Sequence, residues 1–105
     1  MVFCGGDVTS PADAAKAAEM SAEKFGSLQV LVNCAGIGVA KRIFNARKNQ
    51  LHSLDEFQRV ININLNGSFN MMSQAVKVSK PRKLLKVKIV EIFCFFFSFF
   101  SLFLL

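Results

Sequence analysis

The chain has 105 residues, 52% of them hydrophobic, and a formal net charge of +6, which allows one domain with a modest core. Residues 1–76 carry seven Lys/Arg against six Asp/Glu and residues 77–105 six against Glu91 alone. The basic stretch has no aromatic before Phe93, which excludes a nucleic-acid surface of basic residues interleaved with aromatics. Three cysteines (Cys4, Cys34, Cys94) with no C-x-x-C pair exclude a disulfide framework and a cysteine zinc site, and they fit a reducing compartment. No secretory signal or Arg/Ser-rich presequence is expected at the start of the chain.

Val2–Cys4 is a short apolar run closed by Gly5-Gly6 and reads as the end of a buried strand. A helix to Phe25 follows. Ser10 is placed as its N-cap, Pro11 takes the first helical position, Asp13 stands three after the cap, and Gly26 suits a left-handed C-terminal cap. Leu28–Val32, with Gln29 its one polar member, reads as a second buried strand. Strand, helix and strand within about thirty residues make one βαβ unit of a parallel sheet. Lys41–His52 is polar, basic and weakly patterned, a surface loop in which His52 is solvated. Ser53-Leu54-Asp55-Glu56 is a capping box, and Phe57, Ile61, Leu65, Phe69 and Met72 then recur at helical spacing. That predicts a helix to Lys80, stopped by Pro81. Val60–Leu65 also alternates with period two and runs into Asn66-Gly67, a hairpin signal. The capping box and the longer stripe favour the helix. Phe25, Phe57 and Phe69 are expected in the core. Cys34 reads either as a backbone contact to a ligand or as a small buried side chain.

Ligands of an open parallel sheet sit outside the carboxyl ends of its strands. Asp7 follows the first predicted strand and Asn33–Gly36 the second, so both groups should line one edge. A carboxylate beside glycine-lined backbone suits an adenine ring and its ribose, although an Asp after a strand is also an ordinary turn or capping residue.

Asp7-Val8-Thr9, Asn33-Cys34-Ala35-Gly36 and Asn64-Leu65-Asn66-Gly67 resemble, in order and spacing, three landmarks of the short-chain dehydrogenase/reductases. The resemblance runs from Val2 to about Met72 and implies an α/β fold, a partial Rossmann-type doubly wound parallel sheet. It implies that Asp7 contacts adenine, that the Val8 backbone lines the same pocket, and that Cys34, Ala35 and Gly36 approach the cofactor ribose. Cys34 departs from the Asn usual at the second place of that motif. Asn64 is implied as the residue that holds a water in the catalytic proton relay. No metal is implied.

Phe25-Gly26, Val32–Ile37, Leu54–Val60 and the basic loop Lys41–His52 are similar to one mitochondrial branch of the family. That branch implies NAD as cofactor, 3-hydroxyacyl-CoA thioesters or hydroxysteroids as substrates, and a homotetramer built partly through the helix from Ser53. In the family the glycine-rich pyrophosphate turn precedes this chain's start, and the active-site Ser and Tyr-x-x-x-Lys lie beyond about residue 80. The chain contains no tyrosine. Hydride transfer in this family needs that Tyr as acid/base, so the chain alone is expected to be inactive.

The chain divides at residue 80: 1–80 as a partial NAD-binding Rossmann domain, 81–105 as a basic and then Phe-rich apolar tail. Three readings of the tail stay open. It could be a C-terminal membrane anchor behind a basic flank, or a strand at Val87–Phe95. It could also be a translated intron end, since Phe, Ser and Leu share pyrimidine-rich codons and Arg82-Lys83-Leu84 is compatible with a splice donor. Ile92–Leu105 carries no charge, yet as a helix it would reach only about 21 Å against ~30 Å of hydrocarbon. An exposed run of this composition is an aggregation liability.

Overall fold

The computed structural model describes residues 1–79 and the backbone of residues 88–91. α1 (Pro11–Phe25) starts as its sequence dictates: the Ser10 hydroxyl oxygen accepts from the Asp13 N–H, and Gly26 closes the helix at φ 78°. β1 (Val30–Asn33) follows, then a small antiparallel hairpin of β2 (Phe44–Asn45) and β3 (Gln50–Leu51). The long helical run comes next, as α2 (Leu54–Ile61), one π-helical segment (Asn62–Asn66) and α3 (Gly67–Val78). β4 (Lys88–Glu91) then pairs in parallel with β1, setting Val30 opposite Lys88 and Asn33 opposite Glu91. The fold is α/β, and its parallel unit is β1, helix, β4.

Four expectations change here. Val2–Cys4 forms no strand among the described residues: Phe3 is 91% exposed, and no neighbouring strand takes up the backbone groups of this run. The βαβ unit therefore lies one element later than the sequence pattern suggests. β1 is not buried throughout. Leu31 and Asn33 are each 9% exposed while Val30 and Val32 are about half exposed, because α3 packs against the strand and a period of two turns alternate residues away from whatever covers it. Phe25, Phe57 and Phe69 are exposed instead of core. The interior is small-residue packing, with Ala14 and Ala18 of α1 and Ala75 of α3 buried where these two helices meet.

The fourth concerns Lys41–His52. The segment is exposed as expected, but it is a hairpin. The Lys48 N–H donates to the Asn45 carbonyl (3.2 Å) and the His52 N–H to that of Ile43 (2.8 Å). Asn49 makes the turn at φ 48°, a left-handed conformation that Asn tolerates better than most residues.

The helical reading of Val60–Met72 holds, and its ambiguity has a structural counterpart. The stretch that alternated with period two overlaps the π-helical segment, where one extra residue enters the turn. Gly67, read in the alternative as a hairpin glycine, has right-handed helical φ of −60°. The predicted helix end at Lys80 and Pro81, the division at residue 80, Cys94 and the Phe-rich run lie outside the described residues. Of the strand considered at Val87–Phe95, Lys88–Glu91 is described as β4.

Candidate functional site

Asp7–Ser10 leads into α1 as a tight turn whose polar groups are mostly engaged. The Asp7 N–H donates to Asp13 Oδ2 (3.0 Å), and the Asp7 carbonyl accepts from the Ser10 N–H (3.0 Å). Asp7 Oδ1 accepts both the Thr9 N–H and the Thr9 hydroxyl, each at 2.8 Å. These two bonds hold the exposed Asp7 carboxyl below the usual carboxylate range, the backbone bond being the larger cause. Among the described residues Asp7 Oδ2 and the Val8 N–H take no partner. An unspent acceptor thus stands next to an unspent donor.

After β1 the backbone emerges into Cys34–Gly38. Cys34 is exposed, so its reading as a small buried side chain falls; Ala35 is exposed and Gly36 half-buried. Asn33 behind them is buried, and its Nδ2 has no hydrogen-bond partner among the described residues.

The long helix holds both loops. Asn64, inside the π-helical segment, takes the Ile37 peptide groups from both sides: its Oδ1 accepts the Ile37 N–H (2.9 Å) and its Nδ2 donates to the Ile37 carbonyl (2.8 Å). Six residues on, Asn70 Nδ2 donates to the Val8 carbonyl (2.8 Å). Gly67 lies between them and touches Val8 directly, since a Cβ there would stand 2.6 Å from Val8 Cγ2. The Asn64 carbonyl accepts from the Ser68 hydroxyl (2.9 Å).

The structure brings Ile37 and Val8, with Asp7 beside it, under the helical run that carries Asn64. The sequence reading passed over Gly67, Asn70 and Asp13 as parts of this arrangement. Gly67 and Asn70 could have been noticed as small and amide residues at i, i+3, hence on one helix face, but nothing local says what that face meets.

A cleft of about 590 Å³ lies at the hairpin, lined by Lys41, Arg42, Lys48, His52 and Glu56 among others. Glu56 does not complete the expected capping box, and Ser53 makes no side-chain cap bond. Its carboxylate instead accepts from Lys41 Nζ at 2.5 Å, and that bond holds the Glu56 carboxyl below its usual range. His52 is not solvated: its side chain is 12% exposed, with Nε2 at 3.7 Å from Glu56 Oε2 and no hydrogen-bond partner among the described residues. The backbone bond to Ile43 that closes the hairpin draws it inward. Among the described residues no group of three His, Cys, Asp or Glu could hold a metal ion, and no helix is long and apolar enough to cross a membrane.

A parallel strand pair joined by a long helix is the arrangement of a Rossmann-type α/β domain. The sequence model of the short chain dehydrogenases matches residues 1–92, and the chain belongs to that family. Over 70 residues it is 51% identical to the 3-hydroxyacyl-CoA dehydrogenase type-2 of Bos taurus, a match covering 67% of this chain and 27% of that relative. Two solved structures are similar. The aldohexose dehydrogenase of Thermoplasma acidophilum has a TM-score of 0.63 at 28% identity, covering 81% of this chain and 30% of its own. A variant of ElxO with NADPH bound has 0.59 at 30%, covering 69% and 27%. The chain therefore spans about a quarter of the length of the curated relative it matches.

Proposed function

We propose that this chain forms the adenosine half of the cofactor site in an NAD-dependent oxidoreductase that interconverts a secondary alcohol and a ketone. The carrying observation is the pair of amide clamps, Asn64 on Ile37 and Asn70 on Val8, which fixes both predicted cofactor loops to one helix. Asp7 Oδ2 and the Val8 N–H offer an acceptor beside a donor, the complement of the amino group and ring nitrogen on an adenine edge. Cys34, Ala35 and Gly36 present exposed or half-buried backbone for the ribose. These residues fit the dinucleotide at that end. When bound, its nicotinamide would accept or return a hydride.

The other roles follow from what each group has left to offer. Asn64 spends one acceptor site and one N–H of its side chain on Ile37, which leaves a second lone pair and a second N–H for the water it holds in the proton relay. A general acid poised near working pH is also required, and the chain has no tyrosine to supply it. The chain alone is therefore inactive in this reading. The similarity to the type-2 enzyme supports 3-hydroxyacyl-CoA thioesters as substrates; hydroxysteroids as the alternative, a mitochondrial location and homotetramers rest on the resemblance of the sequence motifs alone. The cationic cleft at Lys41, Arg42 and Lys48 supports a substrate with an anionic part.

Calorimetric titration of the chain with NAD is the test: half a site is expected to bind at about millimolar or weaker, too weakly for a measurable heat. A micromolar constant would overturn the assignment of half the site to this chain. The alternative, an inactive product held at a membrane by residues 92–105, concerns residues outside those described. Carbonate extraction separates the two, because only an anchored chain stays with the membrane pellet.

A further inference from the structure

We infer that Asn70 is a positioning residue for the adenine loop, acting from α3 through the Val8 carbonyl, with Gly67 as the gap that lets it reach. The inference rests on the reading of Asp7–Thr9 as the loop that takes adenine.

The direction of the Val8 N–H is what that loop must fix. A trans peptide is planar, so the N–H of Val8 points opposite to the Asp7 carbonyl of the same plane. Ser10 holds that carbonyl and Asp13 holds the plane before it. The next plane, Val8 to Thr9, is held at its Thr9 N–H by Asp7 Oδ1 and at its Val8 carbonyl by Asn70. Of these four bonds, three come from within residues 7–13 and one from a residue 62 positions away. Local turn chemistry can form the loop, and among the described residues Asn70 supplies the one side-chain hydrogen bond that ties it to the helix that also grips Ile37.

Steric contact supports the same role. Any Cβ at Gly67 would meet Val8 Cγ2 at 2.6 Å and Val8 Cβ at 3.2 Å. The backbone φ at this glycine is one that every residue adopts, so what the site requires of position 67 is the absence of a side chain. Gly67 and Asn70 lie on one helical face, the first setting the approach and the second making the bond.

The test is titration of the isotope-labelled full chain with 5′-AMP, followed at the Val8 and Thr9 amides by NMR. In the native chain these amides should shift on addition of AMP. Asn70→Ala should bind AMP about tenfold more weakly, the size of a bond worth near 1.4 kcal/mol, with its circular dichroism and the Ile37 amide unchanged. Asn70→Leu keeps the size and branching, removes the donor and adds no charge, so a packing role alone would leave it near native affinity, whereas the inferred role predicts the same loss. It also serves should Asn70→Ala fail to fold. Native-like affinity in Asn70→Leu overturns the role of Asn70 alone. Absence of any AMP-dependent shift in the native chain overturns the adenine-loop reading and this inference with it.

Discussion

The loops at the strand edge and the hairpin at residues 41–52 are both surface structures over the same helical run, yet they are held by different means. Asp7–Ser10 and Ile37 are gripped by short asparagine amides bonding directly to backbone at 2.8–2.9 Å. The hairpin reaches the helix through the long side chains of Lys41 and Glu56, which are 52% and 40% exposed. A short amide has few rotamers to lose and fixes a peptide plane. An exposed Lys–Glu pair loses more side-chain entropy and is screened by salt. The first region is built for a fixed geometry and the second for adjustment.

The sharpest way to break this contrast is at Gly67. Gly67→Ala would gain about 1 kcal/mol of helix propensity but force Val8 away, an overpacking cost of about 1–3 kcal/mol. A net fall in unfolding free energy is expected by chemical denaturation. Gly38→Ala is the control: nothing lies within 4 Å of a Cβ there, and a change within about 0.5 kcal/mol is expected. Equal effects at the two glycines would refute the close contact.

Asn64→Ala should come next. It leaves the half-buried N–H and carbonyl of Ile37 without their amide partner, at a cost of about 1–3 kcal/mol. Hydrogen exchange at the Ile37 amide should quicken while the His52 amide keeps its native rate. A native Ile37 rate in the variant would mean that the clamp does not hold the loop.

The smallest effect belongs to the hairpin and depends on pH. The Glu56 carboxyl lies below its ordinary value because Lys41 bonds its ionised form. The pair therefore contributes fully at neutral pH, above the ordinary carboxylate value, and its contribution is lost as the pH falls through the depressed one. Acidification should loosen the hairpin and lower the protection of the His52 amide relative to its intrinsic exchange at that pH, and Glu56→Gln should lower that protection likewise at neutral pH. Protection independent of both would show that the backbone bonds hold the hairpin unaided.

How much of this was legible depended on whether the cause was local. The start and stop of α1 were readable because the Ser10 hydroxyl, Pro11 and Gly26 act within a few residues of themselves. The three motifs could be read because residue type and order carry them. Val2–Cys4 misled because an apolar run says strand only where a neighbouring strand exists to take its hydrogen bonds. Glu56 misled because a carboxylate placed for a capping box also lay within reach of Lys41, and a full charge is a stronger partner than an uncharged backbone N–H. The phenylalanines on the long helix kept helical spacing, but spacing does not reveal which face another element will cover.

The sequence by itself determined the family, the α/β class, the first helix and the long helical run. These follow from local caps, apolar period and the order of short motifs, all of which act over a few residues. Tertiary structure alone decided that the strand pair is β1 with β4, that Leu31 and Asn33 of β1 are buried while Val30 and Val32 are not, and that Asn64 and Asn70 close on Ile37 and Val8. Those outcomes join residues 27 and 62 positions apart. An amide or a missing side chain looks the same in sequence whatever it will meet, and only the packed chain supplies the partner.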